Sequence, residues 1–209
     1  MGEDLLSILL PEESEANLQL ADPVLLQYYK DLDERVYWVQ GEVGEGNLDL
    51  VSQIIKWNKE DKDIEIEKRQ PIKIIITSPG GGLEEAKILC EVMRLSKTPV
   101  WTIAIGMAAS AASMIFLAGH RRLATNNAYF LFHRGSCGGI QGDYNQINQF
   151  MEDYKKQVDE LEKFYITHTN YDAELIKSKM NGGDWYIYKE EALENGIVDE
   201  IVDDIEIFF

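Results

Sequence analysis

Apolar residues recur along the chain in two rhythms, compact β-branched runs and stretches with a period near 3.6, and the two alternate. Arg35-Val36-Tyr37-Trp38-Val39-Gln40-Gly41-Glu42-Val43 reads as a strand meeting a glycine. Ile72-Lys73-Ile74-Ile75-Ile76 is almost continuously apolar, the pattern of a strand buried on both faces of a parallel sheet. Ser78-Pro79-Gly80-Gly81-Gly82 is expected to break it. Val100-Trp101-Thr102-Ile103-Ala104-Ile105 and Ala128-Tyr129-Phe130-Leu131-Phe132 predict two more strands, and residues 196–202 a closing turn and strand.

Helical spacing fills the intervals. It appears at 25–32, at Leu48, Val51, Ile54 and Ile55, at Ala86, Leu89, Cys90 and Met93, and after Ser110. From about 142 to 167, Ile147, Phe150, Met151, Tyr154, Val158, Leu161, Phe164 and Tyr165 mark one stripe of a helix roughly 35 Å long. That is longer than the core of such a domain requires, so its far end is expected to protrude and meet another subunit. Asn58 to Gln70, rich in both charges, reads as a solvated connection. The alternation predicts an α/β domain of repeated βαβ units over 23–209, preceded by a flexible arm at 1–22.

Composition excludes several function classes. Twenty basic residues against 37 acidic ones give a formal net charge of −17, which repels phosphate backbones and anionic membranes. No run approaches the ~20 apolar residues of a membrane span, and no secretory leader is evident, so a cytoplasmic location is expected. Cys90 and Cys137 are too few for a disulfide framework or a zinc cluster. Cys90 fits a buried apolar position, and Cys137 lies in a glycine-rich loop. No metal or cofactor motif is present.

Chemistry concentrates elsewhere. Gly106-Met107-Ala108-Ala109-Ser110-Ala111-Ala112-Ser113 would turn sharply from strand to helix and leave the Ser110 hydroxyl beside free backbone N–H groups. A serine nucleophile needs a base. Of three histidines, His120 sits in a polar turn before two arginines and His168 at the polar end of the long helix. His133 ends a strand and opens a glycine-rich loop, at the sheet edge where sites collect. Among 37 acids, Asp184 stands out between Gly182-Gly183 and Trp185-Tyr186, a context that predicts partial burial. The glycines at 80–82 could offer N–H groups to an oxyanion without Cβ obstruction. A phosphate loop is disfavoured there, because no Lys-Ser/Thr pair follows and Glu84-Glu85 would repel an anion.

Ser-Pro-Gly-Gly at 78–81, Gly-Met-Ala-Ala-Ser at 106–110, and the His133 and Asp184 positions, 23 and 51 residues further on in turn, resemble the ClpP-like serine peptidases. These are the proteolytic subunits of the Clp protease, with a crotonase-type fold. The similarity spans about 25–203. It implies Ser110 as nucleophile, His133 as general base, Asp184 as orienting acid, and the N–H groups of Gly81 and Ala111 as oxyanion hole. It further implies that the helix from 142 is the family's ring-interlocking handle. Gly80, Gly82 and the stretch Gly138, Gly139 and Ile140 would flank the bound peptide. Implied partners are a homo-oligomer (a heptameric ring, single or double), unfolded substrates and an AAA+ unfoldase; no cofactor is implied.

The departures are specific. Arg134-Gly135 replaces the family's usual Gln-Pro, and Gly182-Gly183 replaces an acidic–arginine pair that couples rings. The 58–70 segment is longer than usual, and the arm matches the axial hairpin loosely. This pattern suits a specialised paralogue or a phage-type relative. Two rival readings stand beside the peptidase: an inactive ring subunit that scaffolds or gates, and acyl-coenzyme A chemistry on the same fold.

Overall fold

The structure, a computed structural model, describes residues 22–208. The expected arm therefore lies outside the described residues, except for Asp22, whose carboxylate accepts from the Val24 N–H and caps the first helix. The chain runs α1 (Pro23–Asp33), β1 (Val36–Val43), α2 (Asp49–Glu60), β2 (Ile72–Gly81), α3 (Leu83–Leu95), β3 (Val100–Ala109) and α4 (Ala111–Leu117). It continues through β4 (Arg121–Thr125), β5 (Tyr129–Phe132), α5 (Tyr144–His168), α6 (Ala173–Asn181), β6 (Trp185–Tyr188), α7 (Lys189–Glu194) and β7 (Glu200–Val202).

Strands β1-β2-β3-β4-β7 lie side by side in parallel, as expected of βαβ units. β2 is the isoleucine run. Ile74 and Ile76 enter the main core, while Ile75 faces a second cluster with Val36, Ile103, Leu123 and Val202. Full burial of each such side chain stabilises by roughly 1.5–3 kcal/mol.

β3 changes partners along its length. Trp101–Ala104 pair with β4, and Met107–Ala109 pair with β5. Gly106, at φ 75°, lies between the two ladders. β6 then adds antiparallel to β5, so these two strands branch from β3 within the same seven-stranded sheet.

Two expectations need correction. Ser78-Pro79-Gly80-Gly81 does not break β2; the strand continues to Gly81, paired with β1 through Glu42 and Val43 and with β3 through Ala108. Both ladders shift register there, which accommodates the proline's missing N–H. The buried Ser78 hydroxyl donates to the Gly41 carbonyl at 2.5 Å and accepts from the Gly80 N–H at 3.1 Å.

The 58–70 segment, read as solvated, is exposed at most positions, but one residue within it is buried in an ion pair. Asp61, with its side chain 2% exposed, takes the Arg35 guanidinium at 2.6 and 2.8 Å and the Thr98 hydroxyl at 2.8 Å. The Arg35 hydrogen bonds hold its carboxyl below the usual range.

The long helix forms two residues later than expected, with Asp143 and Gln146 making a capping box. Its C-terminal half buries Leu161, Glu162 and Tyr165. In its N-terminal half, Ile147, Phe150 and Met151 of the same stripe are exposed.

Candidate active site

Ser110 occupies the turn from β3 into α4 at φ 54°, ψ −125°, a conformation sparsely populated by residues with a side chain. Such strain costs on the order of 1–3 kcal/mol and persists only where the surroundings over-determine it. Here they do. The Ser110 N–H donates to the Leu131 carbonyl of β5 at 2.9 Å. The Ser110 carbonyl accepts from the Ser113 N–H at 2.9 Å and from the Ser113 hydroxyl at 2.6 Å. Ser113, the other hydroxyl close by on α4, is fully buried and also 3.0 Å from the Tyr165 hydroxyl, so it packs rather than faces the cavity.

The β5–β6 register explains how His133 meets an acid 51 residues away. Phe132 pairs with Trp185, so the next antiparallel position sets His133 opposite Asp184. Around this pair Phe132 stacks on Tyr165 of α5 and meets Trp185 edge-on, fixing the strand that carries the histidine. His133 Nε2 lies 2.6 Å from the Ser110 Oγ, and its Nδ1 lies 3.3 Å from Asp184 Oδ1. Asp184 is not partly buried as expected: its side chain is 55% exposed against 23% for His133. The two glycines before it carry no side chain to cover it.

The other histidines are elsewhere. His120 accepts the Val100 N–H on Nδ1, and burial lowers its pKa. His168 stacks on Phe164 at the end of α5 and donates from Nδ1 to the Phe164 carbonyl.

The glycines at 80 and 81 crowd the serine turn. A Cβ on Gly80, whose φ is 97°, would lie 2.7 Å from Ser110 Cβ and 3.0 Å from the Ala111 nitrogen. A Cβ on Gly81 would meet the β1 backbone at 2.2 Å. Gly80, Gly81, Ser110, Ala111, His133 and Asp184 all line one cavity of about 710 Å³. Gly82 does not; it caps α3, where a Cβ would overlap the Glu85 carboxylate. Gly138, Gly139 and Ile140 are exposed, without regular structure, and outside the cavity lining. Cys137 is exposed and does line the cavity, whereas burial pushes the Cys90 thiol up to about 12. Among the described residues, no cluster of potential ligands could hold a metal ion.

A family model described as Clp protease matches residues 25–204. The chain belongs to the Clp protease family. Among solved structures it resembles a point mutant of ClpP1 from Listeria monocytogenes, with a TM-score of 0.73 and 22% identity over 88% of this chain and 99% of that one. The two share the ClpP fold. Among the described residues of this Clp-family chain, no helix is long and apolar enough to cross a membrane.

The departure from the family pattern after the histidine acquires a structural meaning. Arg134 donates from Nε at 3.0 Å and from Nη2 at 2.6 Å to Glu162 of α5, a carboxylate only 5% exposed. The Tyr154 hydroxyl, also on α5, reaches the carbonyls of Arg134 and Gly135 at 3.2 Å each. Sequence reading passed over Glu162. The available signal was its position four residues after Val158 and three before Tyr165, an acid within the apolar stripe that cannot be buried unpaired.

Proposed function

We propose that the chain is a serine endopeptidase that cleaves peptide bonds through an acyl-enzyme. The observation that carries this reading is the 2.6 Å approach of His133 Nε2 to the Ser110 hydroxyl in a cavity large enough for a peptide segment. In this mechanism His133 takes the proton from Oγ as Oγ attacks the carbonyl carbon. Asp184 beside Nδ1 favours the tautomer with a free Nε2 and stabilises the imidazolium. The N–H groups of Gly81 and Ala111 receive the oxyanion, an interaction worth ~10²–10³-fold per donor in such sites. His133 then protonates the leaving amine, and water repeats the sequence to release the acyl group.

Family membership supports a ring of copies enclosing these sites, seven per ring, with an AAA+ unfoldase delivering unfolded chains in the cytoplasm. The exposed Gly138, Gly139 and Ile140, just past the cavity-lining Cys137, suit main-chain pairing with an extended peptide. Ser110→Ala should abolish peptide hydrolysis while leaving the assembly size unchanged. Loss of the nucleophile costs about 10⁶-fold in a well-characterised serine protease. Wild-type cleavage by Ser110→Ala would overturn the reading. The second reading, an inactive ring subunit, draws on the exposed Asp184. A fluorophosphonate separates the two: an adduct on Ser110 supports the peptidase, and an assembled protein that takes none supports the scaffold.

A further inference from the structure

We infer that Arg134 and Glu162 are positioning residues that hold the His133 imidazole over Ser110 from the long helix. This inference rests on the serine-peptidase reading. His133 sits at the end of β5, where ladder pairing stops, and residues 133–142 have no helix or strand of their own. Something other than the sheet must therefore fix the backbone just after the imidazole. Upstream, Phe132 is clamped by its stack on Tyr165. Downstream, the fixation is the Arg134 guanidinium on Glu162 Oε1, backed by the Tyr154 hydroxyl on the Arg134 and Gly135 carbonyls. Residues 132 and 134 are thus both tied to α5, and the imidazole between them inherits its place.

The charge pattern makes the attachment specific. Glu162 is one of the few charged side chains buried among the described residues, and a buried carboxylate is tolerated only with a partner. Arg134 is that partner, and its planar fork fixes direction as well as distance. Tyr165 extends the arrangement to the serine, since its hydroxyl donates to Ser113, which in turn holds the Ser110 carbonyl. One helix turn of α5 therefore reaches both reacting groups, and neither Arg134 nor Glu162 touches the reacting atoms.

The test uses the full-length protein and a fluorophosphonate, read as the maximal labelling rate of Ser110 and the concentration giving half of it, with melting temperature alongside. Wild-type protein must label; if it does not, the peptidase reading fails before this inference is reached. Glu162→Gln should lower the maximal rate roughly 10- to 100-fold, the scale of a displacement near 1 Å, and leave the half-saturating concentration within about twofold. Arg134→Lys, which keeps the charge and loses the fork, should fall between. The double variant Arg134→Met with Glu162→Met removes both charges and should regain the melting temperature, while labelling stays slow. If either single variant labels at the wild-type rate, or if the double variant regains rate together with stability, the inference is overturned.

Discussion

Gly80→Ala tests the close approach of β2 to the serine turn. Gly80 holds φ 97°, where a side chain brings a strain of about 1–2 kcal/mol. The new methyl would also lie 2.6 Å from the Ala109 carbonyl oxygen and 2.7 Å from Ser110 Cβ, neither of which is the end of a flexible side chain. Forcing atoms into a packed region costs about 1–3 kcal/mol more. The sum, about 2–5 kcal/mol, lowers the melting temperature by roughly 4–20 °C in a chain of this size. Relief by shifting the serine turn would carry Oγ away from His133. Two controls divide the effect. Gly139→Ala has positive φ (69°) and open space, so it should show only the strain. Gly138→Ala also meets open space, has no positive φ, and should change stability by less than about 0.5 kcal/mol. The assays are thermal unfolding and fluorophosphonate labelling. Gly80→Ala melting and labelling as Gly139→Ala does would refute the argument that close approach to Ser110 is what requires glycine.

Other outcomes follow from single contacts. Asp61→Asn leaves the Arg35 guanidinium, 11% exposed, with only the half-exposed Glu60 carboxylate at 4.0 Å, and should cost about 3–5 kcal/mol in denaturant unfolding. Because the native carboxyl is held low, its stabilisation is complete above the ordinary carboxylate range, near pH 4, and disappears as pH falls through the native value. The gap between wild type and Asp61→Asn should therefore close in acid, and a gap constant from pH 2 to 7 would contradict the pairing. Tyr165→Phe keeps the ring stacked on Phe132 and removes only the hydroxyl on Ser113, so it should cost about 1 kcal/mol. An unchanged melting temperature would show that this hydrogen bond contributes nothing.

The elements legible in the sequence were those whose pattern is their own cause. The isoleucines of β2, the small residues around Ser110 and the C-terminal half of the α5 stripe each carry burial in their spacing, and each lies where the periodicity predicts. What escaped depends on partners distant in sequence. The strand β4 hides in Arg121-Arg122-Leu123-Ala124-Thr125, whose two arginines are paired with Glu200 and Asp199 of the closing segment. Asp61 looks like any acid in a charged run until Arg35 reaches it. At the candidate site, order and spacing made His133 stand out only beside Ser110, whose local context announced itself. The exposure of Asp184 did not, since glycines signal a turn without showing what covers it. Nor did the attachment of Arg134 to α5, where each partner is ordinary alone.

The partner exchange along β3 has a consequence for how the site opens. Ser110 follows directly from the central strand, so its amide and those of Met107–Ala109 should exchange with deuterium only when the whole domain melts. Asp184 instead sits on an exposed turn, residues 182–184, ahead of β6, whose Trp185 and Ile187 are buried in the main core, so the turn can loosen while the strand stays in place. The hydroxyl and the carboxylate flanking His133 are therefore seated in parts of the molecule with unequal resistance to opening, and mild denaturation should detach the acid first.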